Sequence, residues 1–357
     1  MMSLKKYFFA LSLLFSISVL WSQSGYTHCD WDKIKFDPKF VPSSGDTAII
    51  FVSTRNFFPD RNEFLDYDLD TTHTLHYFNI YFDHNKWICV KRKNLEEAYE
   101  STVRSNDIVV YGEGMGKTFP ANVDRATRFT RLYNVTTIMF DWPTFRPFLT
   151  GGKNYKKARH ESAEVSKCLG KLFVELDKLR SSGSTGFVKI SLVLHSLGNR
   201  LMKDAVTHHN ITVQGKLFDN IILNAACVKT FLHRKWVNKL NIQREIYITK
   251  NNHDRTLLLA GIAGLSKQLG RHSGWHKAKN AVYINFSKVL VHDHNYFLMN
   301  YVFKENPQIK TVFDDLFHGN NPSFDDQKTF RKRKKGRVIT FKKPFSQDGD
   351  INFSLSH

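Results

Sequence analysis

The feature that most limits the fold is an alternation: from about residue 105 onward, short and nearly continuous apolar runs take turns with stretches of helical period. The runs are Asp107–Tyr111 (DIVVY), Val135–Asp141 (VTTIMFD), Phe187–His195 (FVKISLVLH), Phe218–Ala225 (FDNIILNA), Glu245–Thr249 (EIYIT) and Ala281–Phe286 (AVYINF). A run without a polar face reads as a strand buried on both sides, and such strands belong to parallel sheets covered by helices. Between them, Ala121–Tyr133, Gly198–Val206 and a long segment carrying Val165, Cys168, Leu169, Leu172, Phe173, Leu176 and Leu179 at three- and four-residue steps predict helices. The expected class is therefore α/β, a mostly parallel doubly wound sheet. Thr47–Thr54 and Leu75–Asp83 precede it and predict an antiparallel N-terminal edge.

Neither an internal repeat nor a clean interdomain linker interrupts the pattern. The expected organisation is a signal segment over 1–22, one domain over 23–320 and a loosely ordered basic tail over 321–357. The 41% hydrophobic content of the 357 residues supplies a sizeable core and excludes global disorder.

At the N-terminus, Lys5 and Lys6 precede an uncharged apolar run, Tyr7–Trp21, followed by Ser22, Gln23, Ser24 and Gly25. That run is shorter than the ~20 residues needed to span a bilayer and has the layout of a signal-peptide core. Export to the periplasm or medium is expected, with an uncleaved membrane anchor as the alternative. In an exported chain the four cysteines, Cys29, Cys89, Cys168 and Cys227, could oxidise, and a Cys29–Cys89 bridge is one pairing. Cys168 and Cys227 read as plain buried residues. None stands in a Cys-x-x-Cys pair, so zinc and redox roles have no support.

The formal charge of +19 favours acidic partners. Arg331, Lys332, Arg333, Lys334, Lys335, Arg337, Lys342 and Lys343 concentrate part of it near the C-terminus, as a solvated tail or as a contact for an anionic membrane or polyanion. No nucleic-acid motif accompanies the charge, and no nucleic-acid partner is expected.

The segment Ile190–Met202 (ISLVLHSLGNRLM) carries the chemistry. An apolar strand runs into His195-Ser196-Leu197-Gly198 and then directly into an amphipathic helix. A serine at such a turn is a nucleophile elbow: its Oγ projects from the carboxyl edge of the sheet, with the next backbone N–H and the helix N-terminus beneath a developing oxyanion. A plain helix-capping serine is the alternative role. The acid and then the histidine should follow in chain order. Asp254 lies in the polar loop after EIYIT, where an aspartate orients an imidazole or merely caps the next helix. After AVYINF come His292 and His294; His294 is preferred because Tyr296, Phe297 and Met299 behind it would anchor the loop. The rest of the oxyanion hole is expected from the loop after DIVVY, Tyr111-Gly112-Glu113-Gly114-Met115-Gly116. There Glu113 and Gly112 would join the Leu197 backbone N–H. That loop lacks the full dinucleotide-binding fingerprint.

The combination resembles the α/β-hydrolase superfamily, in particular its bacterial lipase- and esterase-like branch. Members carry a strand ending in His-Gly, a Trp-Pro after the next strand, an Ala-His-Ser-Met-Gly-Asn elbow, an Asn-Asp loop and a final Gly-His-Ser-Tyr-type segment. Here the matching residues are Tyr111-Gly112, Trp142-Pro143, Leu194-His195-Ser196-Leu197-Gly198-Asn199, Asn252-His253-Asp254 and Asp293-His294-Asn295-Tyr296, spread over about residues 45–305. Tyr111 and Leu194 depart from the pattern. The resemblance implies an α/β-hydrolase fold and cleavage of a carboxylic ester or related acyl bond by a Ser-His-Asp triad. The substrate would be a small-molecule or lipid ester, with no metal or organic cofactor. Phe145, Phe148 and Tyr155 are candidates for an acyl pocket. The rival is a catalytically inactive hydrolase fold that binds a ligand at the cell envelope.

Overall fold

The computed structural model describes residues 30–43, 48–102, 106–186, 188–334 and 337–342. The signal segment, Cys29 and everything after Lys342 lie outside them.

Five consecutive apolar runs become parallel strands: β7 (Ile108–Gly112), β8 (Thr136–Asp141), β9 (Ile190–His195), β10 (Phe218–Asn224) and β11 (Gln243–Lys250). Every residue of β7, β8, β9 and β10 is buried, as a central strand with both faces covered requires. β12 (Val282–Asn285) continues the parallel series beside β11. The leading edge is built from β1 (Ile34–Phe36), β2 (Ile49–Ser53), β5 (His76–Asp83) and β6 (Lys86–Arg92); β5 runs antiparallel to both β2 and β6. A separate antiparallel pair, β3 (Arg55–Phe57) and β4 (Leu65–Leu69), stands beside it.

At the far edge, β13 (Phe330–Arg333) and β14 (Val338–Phe341) form an antiparallel hairpin, and β14 pairs in parallel with β12. The segment expected to be a loose tail from residue 321 is thus, over these residues, part of the sheet. Ile339 and Phe341 alternate inward and are almost fully buried, whereas the basic side chains face out. The cation count hid that short alternation.

The twelve strands run in the order β1-β6-β5-β2-β8-β7-β9-β10-β11-β12-β14-β13. The chain passes outward from β7 to β8, then crosses back over β7 to β9 and proceeds the other way. Such a reversal leaves a crevice outside the carboxyl ends of the two strands at the switch, β7 and β9. The fold is therefore a mostly parallel doubly wound sheet with an antiparallel N-terminal edge.

The covering helices include α1 (Leu95–Glu100), α2 (Phe119–Tyr133), α3 (Gly151–Ser181), α4 (Asn199–Thr207), α5 (His233–Val237), α6 (Arg255–Ala263), α7 (Asn300–Glu305) and α8 (Pro307–Phe317). α3 runs 31 residues, starting well before the periodic stretch that signalled it. Asn154, Tyr155, Ala158 and Ser162 extend its buried face with residues that an apolar pattern does not register. Phe129 and Tyr133 of α2 pack against Phe317 of α8, tilted and edge-on, with centroids 4.8 and 4.6 Å apart, and Phe297 joins them from the loop that carries His294. This aromatic block fixes that loop to the sheet. No helix of the described residues is long and apolar enough to cross a membrane.

Candidate active site

β9 delivers the chain to Ser196 at the switch point, and the backbone there is strained. Ser196 sits at φ +51°, a left-handed conformation rarely taken by a residue with a Cβ and costing about 1 kcal/mol or more. A short 3₁₀ turn, Ser196–Gly198, precedes α4. The strain is held by hydrogen bonds to one carbonyl: Ser196 O accepts from the Cys227 N–H at 2.9 Å and from Asn199 Nδ2 at 3.0 Å. The buried Asn199 amide also donates to Leu194 O and Asn224 O, tying together both ends of the turn and the neighbouring strand β10.

The loop after β7 lies directly against this turn. A Cβ on Gly114 would stand 2.6 Å from Ser196 Cβ and 3.0 Å from Leu197 N. A Cβ on Gly198 would stand 2.7 Å from Gly112 O and 2.9 Å from Glu113 O. Both glycines are therefore required by the close approach of two backbones. Gly198 makes room for the glycine loop itself. The Leu194 side chain occupies the space over Gly112, where an added Cβ would come within 2.6 Å of its Cδ2. The bulk at the usual small-residue position of the elbow is thus matched by a glycine on the facing strand.

Asp254 and His294 meet. The Nδ1–H of His294 donates to Asp254 Oδ2 at 2.6 Å, the carboxylate being fully buried and the imidazole 12% exposed. Asp254 Oδ1 accepts from the Leu257 N–H at 2.8 Å, so one carboxylate both caps α6 and holds the imidazole. The two roles weighed from the sequence are both filled, one oxygen each. With Nδ1 engaged, Nε2 is the imidazole nitrogen that Asp254 does not hold. Asn251 Nδ2 donates to Asp293 O at 3.1 Å and pins the histidine loop to the aspartate loop. His292 instead accepts from Arg255 Nη2 at 2.9 Å on the exposed side.

Ser196 and His294 line the same cavity of about 90 Å³, with Met115, Tyr155, Leu197, Cys227, Leu259 and Ala260 as its apolar wall. No hydrogen bond joins Ser196 to His294 here; in unliganded enzymes such bonds are commonly long and tighten around substrate. Of the three candidate acyl-pocket aromatics, Tyr155 lines the cavity, while Phe148 is 73% exposed and neither it nor Phe145 reaches the wall. The exposed turn between Trp142-Pro143 and α3 carries Phe148 away from the sheet edge.

Beneath the serine lies a buried charged network that no sequence motif announced. The Glu113 carboxylate accepts from Tyr111 Oη at 2.5 Å, from its neighbour Gly114 N–H at 2.7 Å and from Arg125 Nε at 2.9 Å. Burial alone would raise the Glu113 pKa, but the charges of Arg125 and Lys117 and the Tyr111 hydrogen bond bring it down to about 2. The carboxylate is thus ionised in the folded protein. The His195 ring lies tilted against His294 with centroids 4.6 Å apart and accepts from Asn224 Nδ2 at 3.1 Å. Burial pushes its pKa well below the ordinary histidine value, with His294, Arg125 and Lys117 pushing the same way against Glu113, so it is neutral. Burial, aided by Arg125, also brings Lys117 at the cavity mouth down to about 8. Arg125 is drawn in from α2, seventy-one positions before the serine, so only the tertiary fold could reveal it.

Among the described residues no three His, Cys, Asp or Glu side chains come together as a metal ion would require.

No protein-family model matches the chain, and no curated protein does. Among solved structures the chain is similar to brefeldin A esterase, described as a bacterial homologue of human hormone-sensitive lipase. The identity is 12%, covering 86% of this chain and 84% of that one, with a TM-score of 0.37.

Proposed function

We propose that the chain is an exported serine hydrolase that cleaves small carboxylic esters or related acyl bonds, with Ser196, His294 and Asp254 as its triad. The observation that carries this reading is the serine held at positive φ on the strand-to-helix turn, sharing a cavity with an imidazole whose far nitrogen is fixed by a buried aspartate. His294 Nε2 takes the hydroxyl proton as Ser196 Oγ attacks the carbonyl carbon. The resulting oxyanion is stabilised by the Leu197 and Glu113 backbone N–H groups, each donor contributing roughly 3 kcal/mol in the transition state. As the tetrahedral species collapses, His294 passes the proton to the leaving alkoxide. Water, activated by the same imidazole, then releases the acyl group as a carboxylate. Asp254 keeps the imidazole in the required tautomer and stabilises the imidazolium.

A cavity of about 90 Å³ suits a short acyl group. Acetyl and butyryl esters should be cleaved faster than octanoyl esters, as a p-nitrophenyl ester series would read. Support for export comes from the Lys5–Lys6 pair and the Tyr7–Trp21 run that follows it.

The deciding test is labelling with a fluorophosphonate probe. Wild type should label and Ser196→Ala should not. A folded wild-type protein that takes up no probe and hydrolyses no ester would overturn the proposal in favour of a binding protein on a hydrolase fold.

A further inference from the structure

A cavity of about 990 Å³ opens beside the last residue of β11 and along β12 and β14, and it shares no lining residue with the serine site. Lys229, Arg234, Lys250, Lys267, Lys277 and Arg333 line it, and no Asp or Glu does. Among the described residues none of these six cations forms an ion pair; Lys277 donates only to the neutral Ser273 Oγ and Gly274 O, both at 2.5 Å. Elsewhere some basic side chains are neutralised locally, as in Lys332–Asp325 and Arg180–Asp219.

The arrangement is held against electrostatic cost. Burial lowers the pKa of Lys277 to about 8, with the charges of Lys250 and Lys334 adding to the effect. Burial also lowers the pKa of Lys250, the last residue of β11. Like charges gathered in a concave, partly desolvated space repel one another and concentrate field in the cavity. Bound anions would relieve that repulsion and stabilise the fold by mass action.

Three large apolar side chains stand in solvent around the rim: Phe231 at 80%, Leu265 at 93% and Trp275 at 92% exposure. The β13–β14 hairpin supplies Arg333, and Lys334 donates to Trp275 O at 3.1 Å, tying the C-terminal basic segment to the cavity wall.

We propose that this basic cavity binds a ligand bearing clustered phosphate groups, at a site distinct from the serine cavity. Phosphate suits the donor set, since lysine and arginine give charge-assisted hydrogen bonds to its oxygens. Two sources share that chemistry, a soluble oligophosphate and an anionic phospholipid headgroup whose acyl chains would meet the apolar rim.

Full-length protein is titrated with inorganic tripolyphosphate by calorimetry and co-sedimented with phosphatidylcholine vesicles with and without phosphatidic acid. Binding to tripolyphosphate, or to vesicles only when phosphatidic acid is present, is expected. The Lys250→Gln/Lys267→Gln pair should weaken it about tenfold or more, because charge-assisted contacts are lost. Lys153→Gln/Lys156→Gln, which removes the same charge from the exposed face of α3, should change it less than about twofold, the loss expected of screened surface charge alone. Lys229→Gln/Arg333→Gln gives the same readout from exposed positions that do not threaten folding. Equal weakening by the cavity and α3 pairs, or no binding of wild type to either probe, would overturn the proposal. Binding should be unchanged in Ser196→Ala, so this result stands or falls apart from the hydrolase reading.

Discussion

Asp254 offers a way to separate catalysis from stability at one residue. Its two oxygens have different jobs: Oδ1 caps α6 through the Leu257 N–H, and Oδ2 takes the Nδ1–H of His294. Asp254→Asn keeps an acceptor oxygen for the cap, and asparagine caps about as well as aspartate. The amide NH₂ left facing His294 cannot accept the Nδ1–H, so the imidazole must rotate or take the opposite tautomer, with its proton toward Ser196. The expected loss in kcat is about 10³- to 10⁴-fold, with folding stability reduced by no more than about 1 kcal/mol. Asp254→Ala loses the cap as well and leaves buried donors unmet at a fully buried position. It should cost about 1 kcal/mol for the cap and about 1–3 kcal/mol for the unpaired groups. The assays are initial rates on a short-chain ester and urea unfolding of both variants against wild type. An Asp254→Asn protein hydrolysing at near wild-type rate would refute the tautomer argument, and equal destabilisation of the two variants would refute the division of labour between the oxygens.

Ser196→Gly should abolish activity while raising stability by about 1 kcal/mol in urea unfolding, because glycine accepts the φ of +51° without strain. Gly114→Ala would press a methyl to within 2.6 Å of Ser196 Cβ; ester hydrolysis should be lost and stability should fall by about 1–3 kcal/mol. Glu113→Gln removes the carboxylate charge opposite Arg125 in the core and should destabilise the protein at neutral pH by about 3 kcal/mol. The Glu113 pKa is depressed to about 2 in the folded protein, so its stabilisation is complete above the ordinary value near 4.5 and fades as pH falls toward 2. The stability gap between wild type and Glu113→Gln, read by thermal melting across acid pH, should therefore narrow below pH 4.5.

The sequence by itself determined the frame. Runs such as ISLVLH and FDNIILN are apolar on both faces and bury only in a covered parallel sheet, so the class and the position of Ser196 after a central strand follow from local pattern. The sequence singled out Asp254 and His294, the proposed triad partners, because each falls in the polar loop after such a run, and the structure brings the two side chains into hydrogen-bond contact. What tertiary structure decided is whatever depends on approach between distant segments. It separates His294, seated against Asp254, from His292, turned to Arg255 on the surface, although only one residue lies between them. It draws Arg125 from α2 to Glu113, matches Leu194 to Gly112 across two strands, and folds the basic C-terminal segment into a hairpin that walls a second cavity. Periodicity reports which face of an element is buried. It does not report which distant charge or backbone will meet that face, because that is set by strand order and loop path.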